Sequence, residues 1–172
     1  MTRNCKGFTL IELLIVVAIV GVLSAIATAT VMNARMSGNE ASAVGSLRAV
    51  TSAQIDYHEL NRGYAVNLAV LAALCPGFQA GFLSSDLNSN GITKSGYIYV
   101  LAAGAGAVAG GNDCNGAGTQ TEFYATATPV APGLTGRRAF AANQTGTIWQ
   151  DTTGVPPTEP FTASPTVSPI GR

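Results

Sequence analysis

From Phe8 to Ala27 the chain reads FTLIELLIVVAIVGVLSAIA, an apolar run in which Glu12 is the only ionisable group. As a helix rising about 1.5 Å per residue, the run is roughly 30 Å long, the thickness of a bilayer hydrocarbon core. Ahead of it, MTRNCKG carries Arg3 and Lys6 as its only charges, so the positive-inside rule assigns residues 1–7 to the cytoplasm and the rest to the outside. Further on, Ala43, Leu47, Val50, Ala53, Tyr57 and Leu60 recur every three or four residues, while Arg48, Ser52, Asp56 and Glu59 fall on the other side. This spacing predicts an amphipathic helix packed on a domain. No proline interrupts residues 8–60, so one bent helix of about 80 Å is expected, with Gly38 and Gly45 as its weak points.

After Asn61-Arg62-Gly63-Tyr64 the texture changes to short segments punctuated by Gly, Asn and Pro. Leu68, Leu71 and Leu74 predict a short helical turn. Gly96 to Ala102, Thr121 to Val130, Arg138 to Ala142 and Gly146 to Gln150 are rich in β-branched and aromatic residues and predict strands. A long helix followed by a small antiparallel sheet of about four strands is an α+β arrangement, with the face from Ala43 to Leu60 as the second layer of the core. Residues 155–172 hold Pro156, Pro157, Pro160, Pro165 and Pro169 among Ser and Thr. That composition predicts extended, poorly packed chain. An exposed flap, a site for O-glycans and a merely disordered end are all open readings of it.

Composition narrows the function classes. The chain is 47% hydrophobic and only 10% charged, against about a quarter charged in soluble domains. Nine basic and nine acidic residues cancel, leaving no basic stripe for nucleic acid. One His and three Cys leave little material for a catalytic triad or a cysteine-rich zinc site. Neither an enzyme nor a cofactor is predicted. At the N-terminus, a cleaved secretory signal would have a shorter apolar core and an A-x-A-like site. A plain anchor leaves Glu12 unexplained, because an acidic group near a helix centre costs about 2.5 to 3.5 kcal/mol. A lipid anchor on Cys5 would need that cysteine after the apolar run.

Lys6-Gly7-Phe8-Thr9-Leu10-Ile11-Glu12, with its short basic leader and the apolar run behind it, resembles the class III signal of type IV pilins and type II secretion pseudopilins. The resemblance implies a leader, residues 1–7, removed by a prepilin peptidase that cuts after Gly7 and N-methylates Phe8. It further implies a hydrophobic membrane and filament-core helix over 8–35, a globular domain over 36–154, and the tail over 155–172. The partners it implies are the peptidase, an assembly platform, the inner membrane before assembly, and further copies of the chain in an extracellular filament at the cell surface. A structural subunit of a type IV pilus is the leading expectation, and a major pseudopilin of a type II secretion system is the alternative. GYAVNLAVLAAL, TKSGYIYVL and the stretch from Phe140 to Trp149 resemble the globular part of bacterial pilins more loosely. One departure is the lack of the family's usual proline near the end of the apolar run, so local unwinding there does not carry over; Gly21 and Ser24 are softer breakers.

Individual residues leave alternatives open. Cleavage would create an α-amino group on Phe8, which Glu12 of a neighbouring copy could meet, a pair that sets register more than it stabilises. The other reading is a protonated Glu12 hydrogen-bonded within its own helix. Cys75 and Cys114 both fall outside the cytoplasm, where thiols oxidise; a disulfide there is worth roughly 3 to 4 kcal/mol in the chain-entropy account, and free thiols are the alternative. Asp86, Asn88 and Asn90, followed by Gly91, match the opening of a calcium loop. Tyr97 stands where the bidentate Glu is needed, so a metal-free turn is the better reading. His58 reads as a solvated helix residue, and Asn143-Gln144-Thr145 as a generic sequon.

Overall fold

The computed structural model describes residues 7–170, with backbone alone at 27–29. Residues 1–6, including Arg3, Cys5 and Lys6 of the expected leader, and residues 171–172 lie outside the described residues. Helix α1, Leu10–Asn61, runs unbroken through Gly21, Gly38 and Gly45. A glycine in a helix interior costs about 1 kcal/mol relative to alanine, too little on its own to interrupt a helix that contains no proline. The chain divides into two compact units, residues 1–35 and 36–172, and α1 contributes to both.

Among the described residues of the first unit the large apolar side chains are exposed. Leu10 is 81% exposed, Val17 64% and Ile26 67%. The most apolar 18-residue window of α1 has a mean hydropathy of 2.8, and none of it is buried.

The second unit is a helix laid on antiparallel sheet. After α1 come β1 (Tyr64–Ala65), α2 (Leu68–Ala72), a 3-10 turn (Ser85–Leu87), β2 (Ile92–Lys94), β3 (Tyr97–Ala103), β4 (Ala109–Asn112), β5 (Gly118–Gln120), β6 (Phe123–Pro129), β7 (Ala139–Asn143), β8 (Ile148–Asp151) and β9 (Val167–Pro169). The large sheet has the order β2-β3-β6-β7-β8-β9, and β1-β5-β4 form a smaller one. The four expected strands are β3, β6, β7 and β8, the centre of the large sheet. The expected count of about four is too low: β2 and β9 extend that sheet at both edges, and the smaller sheet is additional.

Ala43, Leu47, Val50, Ala53 and Tyr57 are buried, and Arg48, Ser52, Asp56 and Glu59 are exposed, as the spacing predicts. Leu60 departs from the pattern and is half-exposed. In that last turn Asn61 takes the inward contacts instead: its Oδ1 accepts from the Cys114 amide at 3.0 Å, and its Nδ2 donates to the Tyr57 carbonyl at 3.1 Å. Leu74 likewise lies beyond α2 and is exposed, whereas Leu68 and Leu71 are buried.

Register explains which strand residues meet the helix. Leu101, Ala125, Ala142 and Ile148 are cross-strand neighbours in one row, and Tyr99, Ala127 and Phe140 in the next. These residues share one core with the helix face, because cross-strand partners project to the same side. The β2–β3 hairpin turns on Ser95 and Gly96, with φ of 49° and 72°, the pair of positive angles that a two-residue type I′ turn requires.

The opposite face of the sheet is also covered, which corrects the expectation of a loose tail. Val167–Pro169 pairs with β8 as the edge strand. Upstream, Phe161 stacks on Trp149 at 5.5 Å between ring centroids and lies 6.2 Å from Tyr124. Tyr124 donates its hydroxyl to the Pro157 carbonyl at 2.6 Å; burial first, and then the nearby Glu159, push this phenol up to about 12. With a cover on each side, all five residues of β7 are buried. Proline is compatible with this segment because most of it lies across the sheet, and Pro169 sits on an edge strand, where a missing N–H is tolerated.

Candidate functional site

The N-terminal segment is built around a reciprocal cap. Gly7, Phe8 and Thr9 precede the helix outside regular secondary structure, and Phe8 is 87% exposed. Thr9 is the residue just before the first helical turn. Its Oγ1 accepts from the Glu12 amide at 3.3 Å, while Glu12 Oε2 accepts from the Thr9 amide at 2.9 Å and from the Thr9 hydroxyl at 2.8 Å. This is a capping box, which satisfies backbone donors that a helix start otherwise leaves unpaired. The pattern T-x-x-E at residues 9–12 is its sequence signature. Reading Glu12 only as a buried charge misses Thr9 as its partner. Behind the cap, Leu10, Ile11, Leu13, Leu14 and the apolar residues up to Ile26 stand uncovered around the helix. Such a surface is stable only in lipid or against other apolar helices.

The remaining sequence candidates lie in the second unit and are spread across it. Cys75 and Cys114 are joined by a disulfide with Cα atoms 5.5 Å apart, linking the segment after α2 to the loop between β4 and β5. Beside it, Asp113 Oδ2 accepts from the Tyr57 hydroxyl at 2.7 Å, and burial together with that carboxylate pushes the Tyr57 phenol up.

Of Asp86, Asn88 and Asn90, the first and the last are engaged within the fold. Asp86 pairs with Lys94 at 2.6 Å and bonds to Ser84, contacts that hold its carboxyl below the usual range. Asn90 is occupied by backbone: its Oδ1 accepts from the Leu68 and Leu101 amides, and its Nδ2 donates to the Leu101 carbonyl at 2.8 Å. Tyr97, at the twelfth position of that loop, is fully buried. Among the described residues no group of three or more His, Cys, Asp or Glu is placed to hold a metal ion.

His58 is half-exposed and packs against Tyr64, the two rings tilted by 34° with centroids 4.7 Å apart. Asn143 of the sequon is 8% exposed, and its Nδ2 donates to Glu159 Oε1 at 2.6 Å. Its amide nitrogen is thus engaged within the fold.

Residues 2–28 match the family model described as the prokaryotic N-terminal methylation motif. Over 72 residues the chain is 40% identical to the type IV wide pilus major component PilA4 of Thermus thermophilus, a match that covers 42% of this chain and 55% of that protein. The chain therefore spans about half the length of the curated relative it matches. No solved structure matches it. The methylation motif and the likeness to PilA4 support the type IV pilin family. The long apolar helix followed by antiparallel sheet is an α+β fold consistent with the pilin fold.

Proposed function

We propose that this protein is a prepilin that matures into a structural, non-enzymatic subunit of a type IV pilus or pilus-like filament. The observation that carries the reading is the uncovered apolar stretch of α1 directly behind a methylation motif. In the membrane, lipid would cover that stretch; in a filament, the helices of other copies would. A prepilin peptidase would cut between Gly7 and Phe8 and methylate the Phe8 amine, and an assembly platform would draw the mature chain from the inner membrane into the fibre. Glu12 would meet the Phe8 amine of a neighbour and set the register of the helices. The likeness to a major pilus component favours a pilus subunit over a pseudopilin.

Filaments sheared from cells and analysed by mass spectrometry test this reading. The chain should be present in them, begin at N-methyl-Phe8, and weigh two hydrogens less than the reduced form because of the Cys75–Cys114 bond. A chain beginning at Met1 in the filaments would overturn the processing site. A chain confined to the inner membrane would overturn the pilus assignment.

A further inference from the structure

Two carboxylates and an aromatic pair line a cleft on the sheet face that the C-terminal segment covers. The cleft has a volume of about 510 Å³ and includes Glu122, Gln144, Thr147, Trp149, Glu159 and Phe161 in its lining. Glu122 and Glu159 are brought together by one glycine turn. The Ala105 amide donates to Glu159 Oε2 at 2.9 Å, and the Gly106 amide donates to Glu122 Oε2 at 3.1 Å. A Cβ on Gly104 would lie 3.2 Å from Glu122 Oε2, 3.3 Å from Glu159 Oε2 and 2.8 Å from Glu122 Cβ. Only a residue without a side chain lets both acids close on this turn.

The lining is rich in acceptors and contains no Lys, Arg or His. Gln144 adds a carbonyl oxygen, Oε1, that is buried with no donor from the fold. Trp149 and Phe161, stacked at 5.5 Å, add ring faces whose quadrupoles attract positive charge. The donors the wall already offers the two acids, the Ala105 and Gly106 amides and Asn143 Nδ2, which reaches Glu159 Oε1 at 2.6 Å, are all neutral, and the positive charge it lacks is what a guanidinium or ammonium carries. We infer that this cleft binds an organic cation, a guanidinium or primary alkylammonium group, through Glu122 and Glu159 with Trp149 and Phe161 packed against its apolar stem. A bare metal ion would use the acids and leave the aromatic pair without a role. A neutral saccharide would use the rings and leave the charge uncompensated. The cation could come from a free small molecule or from a Lys or Arg side chain of a second copy of this chain. Filament assembly is not required for binding, because the cleft lies within one chain.

Trp149 is the chain's only tryptophan, so its fluorescence reports on the cleft directly. The full chain in non-ionic detergent, titrated with agmatine, should give a saturable change that weakens with added salt. Calcium or glucose in place of agmatine should give none. Glu122→Gln keeps an acceptor for the Gly106 amide and removes the charge, and it should weaken agmatine binding at least about tenfold. Its unfolding temperature without ligand should stay close to the parent's, whereas agmatine should raise the parent's far more than the variant's. If agmatine binds equally to dilute chain and to concentrated or assembled chain, the cation is a free small molecule. If assembly excludes agmatine, a neighbouring copy supplies the cation. No saturable change, an equal response in Glu122→Gln, or an equal response to glucose or calcium would overturn the inference.

Discussion

Glu40 shows how a single carboxylate locks α1 to the sheet within the second unit. It is 8% exposed, and burial alone would raise its pKa. The amides of Arg137 and Arg138 and the Arg138 guanidinium outweigh that effect and hold the carboxyl below its ordinary value. The contacts are short: Oε1 accepts from the Arg137 amide at 2.8 Å, and Oε2 from Arg138 Nε and Nη2 at 2.8 and 2.6 Å. Because the folded-state pKa is depressed, ionised Glu40 contributes its full stability above the unfolded-chain value of about 4.3 and loses it as pH falls through the folded value. Glu40→Gln should therefore lower stability at neutral pH by roughly 1 to 3 kcal/mol, the usual loss for a hydrogen bond to a charged group. Thermal unfolding of parent and variant should show the gap closing in strong acid. A gap of the same size at both pH values would show that packing, and not the charge, is what Glu40 supplies.

At the scale of elements, the C-terminal segment is the piece whose removal should matter most. Ending the chain after Gly154 would strip β9 from the edge of the sheet and uncover Trp149 and Tyr124. The expected loss is about 2 kcal/mol or more, or roughly 4 to 8 °C in unfolding temperature, together with self-association through the exposed β8 edge. Unfolding curves and light scattering of the truncated chain in detergent check both, and an unchanged midpoint with no association would make the segment a passenger.

The same segment marks the limit of what the sequence discloses. β3 was legible because Tyr97, Ile98, Tyr99 and Val100 are aromatic or β-branched, and the second half of α1 because its apolar spacing from Ala43 to Leu60 follows a helical period. Five prolines mask the tail, although its stability comes from contacts far along the chain, Phe161 on Trp149 and Pro157 on Tyr124, that no local pattern encodes. β4 reads AGGN and is fully exposed; with no large side chain to alternate, its pairing with β5 leaves no trace in the hydrophobic pattern. The acidic cleft was illegible for a related reason, since Glu122 and Glu159 meet only after the tail has docked.

For the whole molecule, the open question is which of two roles of Glu12 governs assembly. Within one chain it caps its helix through Thr9; between chains it is proposed to meet the Phe8 amine. The two roles differ in size: a lost cap costs about 0.5 to 2 kcal/mol, whereas leaving one member of a buried ion pair unpartnered costs about 3 to 5 kcal/mol. They also differ in chemistry. Glu12→Gln keeps an oxygen for the Thr9 amide, as Gln does in other capping boxes, but cannot neutralise an amine. Thr9→Ala removes the capping hydroxyl and keeps the charge. Glu12→Val removes both functions and should make membrane insertion easier. If the intermolecular pair governs assembly, Glu12→Gln and Glu12→Val should both give cleaved, membrane-resident chains with few or no filaments. Thr9→Ala should still assemble. Co-expression with the parent chain should restore some fibres in the Glu12 variants, because each contact needs one carboxylate from one side. Filament yield by electron microscopy, read beside the mass of the membrane-resident chain, separates assembly from processing. Abundant filaments from Glu12→Gln alone, with few from Thr9→Ala, would give the capping role priority and leave register to the packing of the apolar helices.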